Sequence, residues 1–199
     1  MVIDRRQRQS RLFGFFIGLS VFVIVIAVLM MVRFQTYKEY RNAPLGIKIK
    51  YPEYWRVVEN PSGGGALVAF LSPKQTGLDT FLENVNISYV NLENNPMTLT
   101  QFSQETMSQL EGTLKGNIRV LLSRPVTLAN RRGYFYVYKG VGENITNPMK
   151  YAHAWLVDGN DAYIVTYAGL EDEFNKHWRE YKAMLRSFKV EKPKSIPSS

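Results

Sequence analysis

The chain has 199 residues, a formal charge of +8 and no cysteine, which excludes disulfides, thiolate metal sites, a cysteine nucleophile and a lipid-modified N-terminal cysteine. The charge suggests nucleic acid until it is divided: residues 1–41 hold seven Lys/Arg against two Asp/Glu, and residues 42–199 hold eighteen against fifteen. Most of the excess therefore flanks the N-terminal apolar run, where anionic headgroups attract it, and no long basic stretch marks a nucleic-acid groove.

That run opens on Leu12 and closes on Val32, and its 21 residues carry no charge. As a helix at about 1.5 Å per residue it spans roughly 32 Å, enough for a hydrocarbon core of about 30 Å. A cleaved signal would have a shorter apolar core followed by small residues. Here Met30-Met31-Val32-Arg33-Phe34 follows instead, bulky and basic. The segment 12–32 is accordingly read as a retained transmembrane helix in contact with membrane lipid. Arg5, Arg6, Arg8 and Arg11 precede it, against Arg33, Lys38 and Arg41 after it. This bias places the basic flank 1–11 in the cytoplasm and everything past Val32 on the extracytoplasmic face.

Residues 33–44 are expected to form a juxtamembrane linker, with 34–42 briefly continuing the helix until Ala43-Pro44 breaks it. The alternation of Gly46-Ile47-Lys48-Ile49-Lys50-Tyr51 predicts a half-exposed strand. Gly63-Gly64-Gly65 lacks the Gly-Lys-Ser/Thr of a phosphate loop, so it reads as a hairpin turn before a strand at 66–71. Residues 84–92 alternate again, with Val85, Ile87 and Tyr89 on one face. A capping box of Thr98 and Gln101 then opens a helix whose apolar face is Leu99, Phe102, Met107, Leu110 and Leu114, stopped by Gly116. Two short strands, 119–123 and 126–130, are expected around Pro125.

Three stronger strands follow at 133–141, 150–158 and 162–168, the last two joined by a tight turn at Asp158-Gly159-Asn160-Asp161. Tyr134-Phe135-Tyr136-Val137-Tyr138 is bulky on both alternating faces, as is Tyr163-Ile164-Val165. Such a sheet needs cover on both sides. A C-terminal helix supplies one layer through Phe174, Trp178, Tyr181, Leu185 and Phe188, with Glu171, Asp172 and Glu173 in its first turn where the helix dipole favours them. The tail 191–199 is rich in Lys, Pro and Ser and reads as disordered. The class is α+β, an α/β/α sandwich around an antiparallel β-sheet, in one domain over 45–190 preceded by one transmembrane helix.

No catalytic constellation is visible. His153 alternates with Tyr151 and Trp155 on a strand and reads as a packed or surface histidine; His177 reads as solvated. Two histidines without convergent carboxylates do not make a metal site. Glu171-Asp172-Glu173 fits a helix cap better than a Ca²⁺ ligand set. Arg131 and Arg132, with Lys150 and His153, are the candidate contact patch. No cofactor is expected.

Dispersed landmarks resemble the PsbP family, the extrinsic photosystem II proteins and their relatives. They are Gly46-Ile47 through Pro52-x-x-Trp55, Phe81-x-Glu83-Asn84-Val85, Arg132-Gly133-x-x-Tyr136, Asp158-Gly159-x-x-x-Tyr163, Ala168-Gly169, Trp178 and Ser187-Phe188-x-Val190. The resemblance runs from about Leu45 to Val190. It implies an α/β/α sandwich, shared with a nuclear-import factor that binds the GTPase Ran and with bacterial lipoproteins. It also implies a non-enzymatic role, docking on a membrane complex and helping retain its Ca²⁺ and Cl⁻. Two departures matter. Family members usually arrive by a cleaved transit peptide or a lipidated cysteine, and the His and Asp suggested as metal ligands fall near Met149 and Leu170, which cannot ligate a hard cation. The expected function is therefore a membrane-anchored binding or assembly module for a membrane protein complex, without nucleic acid. The alternatives are a small-ligand or ion-binding domain, or a photosystem II-associated extrinsic protein.

Overall fold

The computed structural model describes residues 36–62, 65–74, 81–115, 117–140 and 148–191. The anchor segment 12–32, Gly63-Gly64, Gly116 and the tail beyond Glu191 lie outside the described residues. Among those described, no helix is long and apolar enough to cross a membrane. Ten strands and two helices follow in the order β1 (Tyr37–Asn42), β2 (Ile47–Pro52), β3 (Arg56–Glu59), β4 (Ala66–Leu71), β5 (Asn84–Asn91), α1 (Leu99–Thr113), β6 (Ile118–Leu128), β7 (Arg131–Gly140), β8 (Met149–Asp158), β9 (Asp161–Leu170), α2 (Trp178–Ser187) and β10 (Lys189–Val190).

Seven strands form one antiparallel sheet in the order β3-β4-β5-β9-β8-β7-β6. Its central strands are bulky on both faces, as their sequences require. Phe135, Val137, Ala154, Leu156, Val165 and Tyr167 point into one core with Phe174, Tyr181, Met184 and Phe188. Tyr136, Tyr138 and Trp155 point into the other, under α1 with Phe102. The cover is unequal. Among the described residues, one face has α1 alone; the opposite face has α2 together with a second, three-stranded sheet, β1-β2-β10. In β2 the alternation behaves as its sequence predicts, with Ile47 and Ile49 buried and Lys50 exposed.

Three expectations are corrected. Residues 37–42 do not prolong a helix but form β1, paired residue for residue with β2 from Tyr37↔Pro52 to Asn42↔Ile47. A helix there would strand the outer edge of β2 and lose the edge-on contact of Tyr40 with Phe70 at 5.7 Å. The compact unit that holds both sheets begins at Tyr37. Second, the segments either side of Pro125 are one strand, β6, with a bulge between Val120 and Leu122. Proline is tolerated because β6 is an edge, where a missing N–H costs no ladder bond. Third, α2 starts only at Trp178, so Glu171, Asp172 and Glu173 lie in the preceding turns rather than in the helix's first turn. Those turns are closed by backbone bonds such as Phe174 N–H to Leu170 C=O at 2.7 Å, which seat Phe174 against Tyr167.

The capping box on α1 forms as expected: Thr98 Oγ1 accepts from Gln101 N–H at 3.3 Å, and Gln101 Oε1 accepts from Thr98 N–H at 2.9 Å. At the helix end the left-handed residue is Lys115, with φ of 50°.

Gly46 closes the small sheet. Its φ is +65°, and a Cβ there would stand 1.7 Å from the carbonyl oxygen of Glu191, whose N–H donates to Gly46 C=O at 2.8 Å. Gly65 has a similar φ of +67° with nothing near its Cβ position. Gly46→Ala is expected to cost roughly 2–4 kcal/mol of unfolding free energy, and Gly65→Ala only about 1 kcal/mol of backbone strain. Urea unfolding followed by tryptophan fluorescence checks the difference; equal costs would show that the approach of β10 to β2 is not a constraint.

Candidate functional site

The four residues of the expected contact patch do not share a surface. Arg131 is tied down, its Nη2 3.0 Å from Asp158 Oδ2 and its Nη1 donating to the carbonyls of Ala129 and Val190. Arg132, exposed, is its neighbour on β7 and so faces the α1 side. Lys150 lies at the far end of β8, paired with Lys139, and its ammonium sits 4.6 Å over the Phe174 ring on the α2 side. His153 is half-buried in the middle of β8 on the α1 side.

Of the two readings, packed or surface, His153 takes the packed one. Nδ1 lies 3.0 Å from Thr166 Oγ1 and Nε2 3.2 Å from the Tyr138 hydroxyl, so a neutral ring donates to one and accepts from the other. Its ring stacks on Tyr138 at 5.5 Å and 8°. Burial pushes its pKa down from 6.5 to about 4, and burial likewise raises the Tyr138 phenol. The ring therefore stays neutral at ordinary pH.

His177, expected in solvent, is instead enclosed, with its side chain only 12 % exposed. It lies between two carboxylates, Nε2 3.9 Å from Glu83 Oε2 and Nδ1 3.7 Å from Glu180 Oε1, both beyond hydrogen-bond distance. Trp55 meets its ring edge-on at 5.3 Å. Glu83 is fully buried and accepts from Ser72 Oγ at 3.1 Å, while Glu180 accepts from the Tyr54 hydroxyl at 3.2 Å. Among the described residues, Glu83 Oε1 and both His177 ring nitrogens find no hydrogen-bond partner. Gly169 makes room for this chamber, since a Cβ there would come within 3.1 Å of Glu83 Cγ. The landmark residues Trp55 and Glu83 thus converge beside His177, with Gly169 against Glu83. Its walls are too deeply buried to admit a substrate. Among the described residues no group of three His, Cys, Asp or Glu is placed to hold a metal ion. The chamber joins the turn before α2 to the main sheet.

The open site lies on the other face. A cleft of about 520 Å³ runs between α1 and the β6–β7 hairpin, lined by Leu99, Ser103, Met107, Pro125, Arg132 and Tyr134 among others. Ser103 is committed: its Oγ accepts from Trp155 Nε1 and donates to Leu99 C=O, both at 2.7 Å. Tyr134 stacks on Trp155 at 5.4 Å, and its hydroxyl shares a hydrogen bond with Ser123. The walls are therefore apolar and aromatic, with Arg132 as the charged group. Such a surface suits recognition. Its composition carries no signal in a single sequence, because the groups that meet there alternate with core residues on separate elements.

No protein-family profile matches the sequence, and a search of curated proteins finds no match. Solved structures do resemble the fold. The solution structure of the cyanobacterial PsbP protein CyanoP from Synechocystis superposes with a TM-score of 0.57 at 16% identity, covering 80% of this chain and 95% of that one. LpqN of Mycobacterium tuberculosis, described as involved in cell envelope biogenesis, gives 0.53 at 11% identity over 83% and 96% of the two chains. A Mog1 mutant gives 0.50 at 13%, covering 78% and 96%. The chain has a PsbP-like fold.

The unfolded His153 imidazole takes its proton near 6.5 and the folded one only near about 4. Between those values the unfolded chain binds more protons, so stability falls as pH drops through that window, by as much as about 3 kcal/mol. His153→Gln keeps hydrogen-bonding capacity without titrating and is expected to flatten that part of the profile. Unfolding free energies of both chains at pH 7 and pH 4 check this; parallel profiles would place the acid sensitivity elsewhere.

Proposed function

We propose that the chain is a membrane-anchored, non-enzymatic binding or assembly module, held by the segment 12–32 and presenting its PsbP-like domain on the extracytoplasmic face to a membrane protein complex. The observation that carries this reading is the cleft under α1. Its Ser103 and Tyr134 hydroxyls are spent on internal hydrogen bonds, its walls are mainly aromatic and aliphatic, and its polar groups include no nucleophile beside a base. The similarity to CyanoP supports it as an analogy of fold.

Tethering supplies the mechanism. Confinement at the membrane raises the domain's effective concentration near partners there, so a shallow contact suffices. The second reading, a small-ligand domain, is favoured by the volume of the same cleft, about 520 Å³, which lies within the usual range for small molecules. A ligand-dependent rise in melting temperature distinguishes it.

Release must come before Tyr37, because a cut after Arg41 would remove β1. A chain beginning at Gln35 is expected to remain folded yet capture membrane partners at least about tenfold less than the intact chain at equal amounts. Chemical crosslinking in membranes with mass spectrometry measures both. Equal capture would rule out tethering, and intact chains found free in the soluble fraction would rule out the anchor.

A further inference from the structure

Strand β6 ends the main sheet. Its inner edge pairs with β7 from Ile118↔Gly140 to Leu128↔Arg131, and no described strand pairs with its outer edge. Residues 119–125 are all exposed. An open edge of this length is a template for another strand, and folds usually blunt it with charges, a proline or a bulge. Here Pro125 removes one donor, and the bulge presents Val120, Leu121 and Leu122 in succession, at 45%, 43% and 39% exposure. The protection thus leaves an apolar step on the edge rather than removing one.

Charge decides what would cover it. Arg119 and Arg124 flank the apolar step, Arg132 stands at the cleft beside Pro125, and β6 contains no acidic residue. None of these three arginines joins an ion pair among the described residues, whereas Arg131 and Lys139 of the same hairpin are paired with Asp158 and Glu171. A second copy of this chain is a poor occupant, because antiparallel β6–β6 pairing would bring four guanidinium groups together along one seam.

We infer that the outer edge of β6 receives an extended segment of a partner protein in which acidic residues flank apolar ones. The segment adds an eighth strand, its carboxylates meeting Arg119 and Arg124, and a side chain at the Pro125 end entering the cleft beside Arg132. Main-chain hydrogen bonds supply affinity and the side chains supply choice. The inference rests on the binding-module reading and names the partner's chemistry.

The test uses the full-length chain in mild detergent and a labelled ten-residue peptide alternating Glu with Val. Expected are saturable binding, slowed hydrogen exchange at residues 119–124, and at least tenfold weaker binding in each of three controls. These are a peptide N-methylated at alternate residues, a Lys/Val peptide, and the double variant Arg119→Glu, Arg124→Glu. The N-methylated peptide needs no variant, so a folding defect in the double substitution leaves the test intact. No binding, binding without protection of β6, or self-association that protects β6 would each overturn it. Protection by phosphatidylglycerol vesicles without any peptide binding would assign the edge to lipid and overturn it too. Crosslinked partners with β6 still exchanging freely would sink strand addition alone and leave the binding module standing.

Discussion

A strand that is bulky on both faces cannot be left with one face in water, and β7, β8 and β9 are three such strands side by side. Burying an aromatic or large aliphatic side chain is worth about 1.5–3 kcal/mol, so a sheet covered on one side only would forfeit much of its core. Every other layer follows from that requirement. Helix α1 crosses Tyr136 and Trp155 on one side. The opposite side is too broad for α2 alone, and β1, β2 and β10 complete it through Ile47, Ile49 and Val190. The small sheet is joined by the two ends of the described domain, which explains why Gly46 must let the Glu191 backbone approach so closely.

The polar chamber under α2 is a consequence of the same two-sided packing. The chain has to travel from β9 to the start of α2 over the sheet, and its turns carry His177 inward beside Glu83. Leaving a buried acceptor or donor without a partner costs free energy, so the chamber is a local weakness set inside a strong core. Around it the phenol of Tyr167 is fixed to Phe174 C=O at 2.9 Å and stacks on Tyr181 at 5.2 Å. Those contacts offset the unpaired groups and hold the helix in place.

Much of this was legible in the sequence where the determining interactions are local. The capping box at Thr98 and Gln101 spans three residues, and the alternation of β5, β7, β8 and β9 repeats every two. Neither needs a distant partner to be recognised. Strand β1 was not legible, since its tyrosines at 37 and 40 also fit helical spacing and its strand character comes from pairing with β2. The continuity of β6 through Pro125 was hidden for a related reason: proline is compatible with a strand only at an edge, and edge position is a property of the whole sheet. The acidic trio 171–173 looked like a helix start because electrostatics alone cannot distinguish a first turn from the turns before it. The enclosure of His177 was least legible of all, because Glu83, Trp55 and Gly169 come from three separate segments. The basic patch failed for the opposite reason. A patch of Arg131, Arg132, Lys150 and His153 requires the four to meet in space, and strand alternation sends them to two faces and two ends of one hairpin.

The same alternation bears on the ion-retaining role that the family resemblance implies. Met149 and Leu170, near which that resemblance places hard-cation ligands, are direct partners across β8 and β9. The backbone therefore brings them together, as a shared site would need. Their side chains are a thioether and an isobutyl group, and hard cations take oxygen donors. Nearby, Lys139 pairs with Glu171 at 2.7 Å and Lys150 covers Phe174 at 4.6 Å, so the immediate surroundings add two cations and commit a carboxylate. The pair as it stands therefore offers a cation no oxygen donor from either side chain. Among the described residues, surfaces open for recognition lie along α1 and the β6 edge.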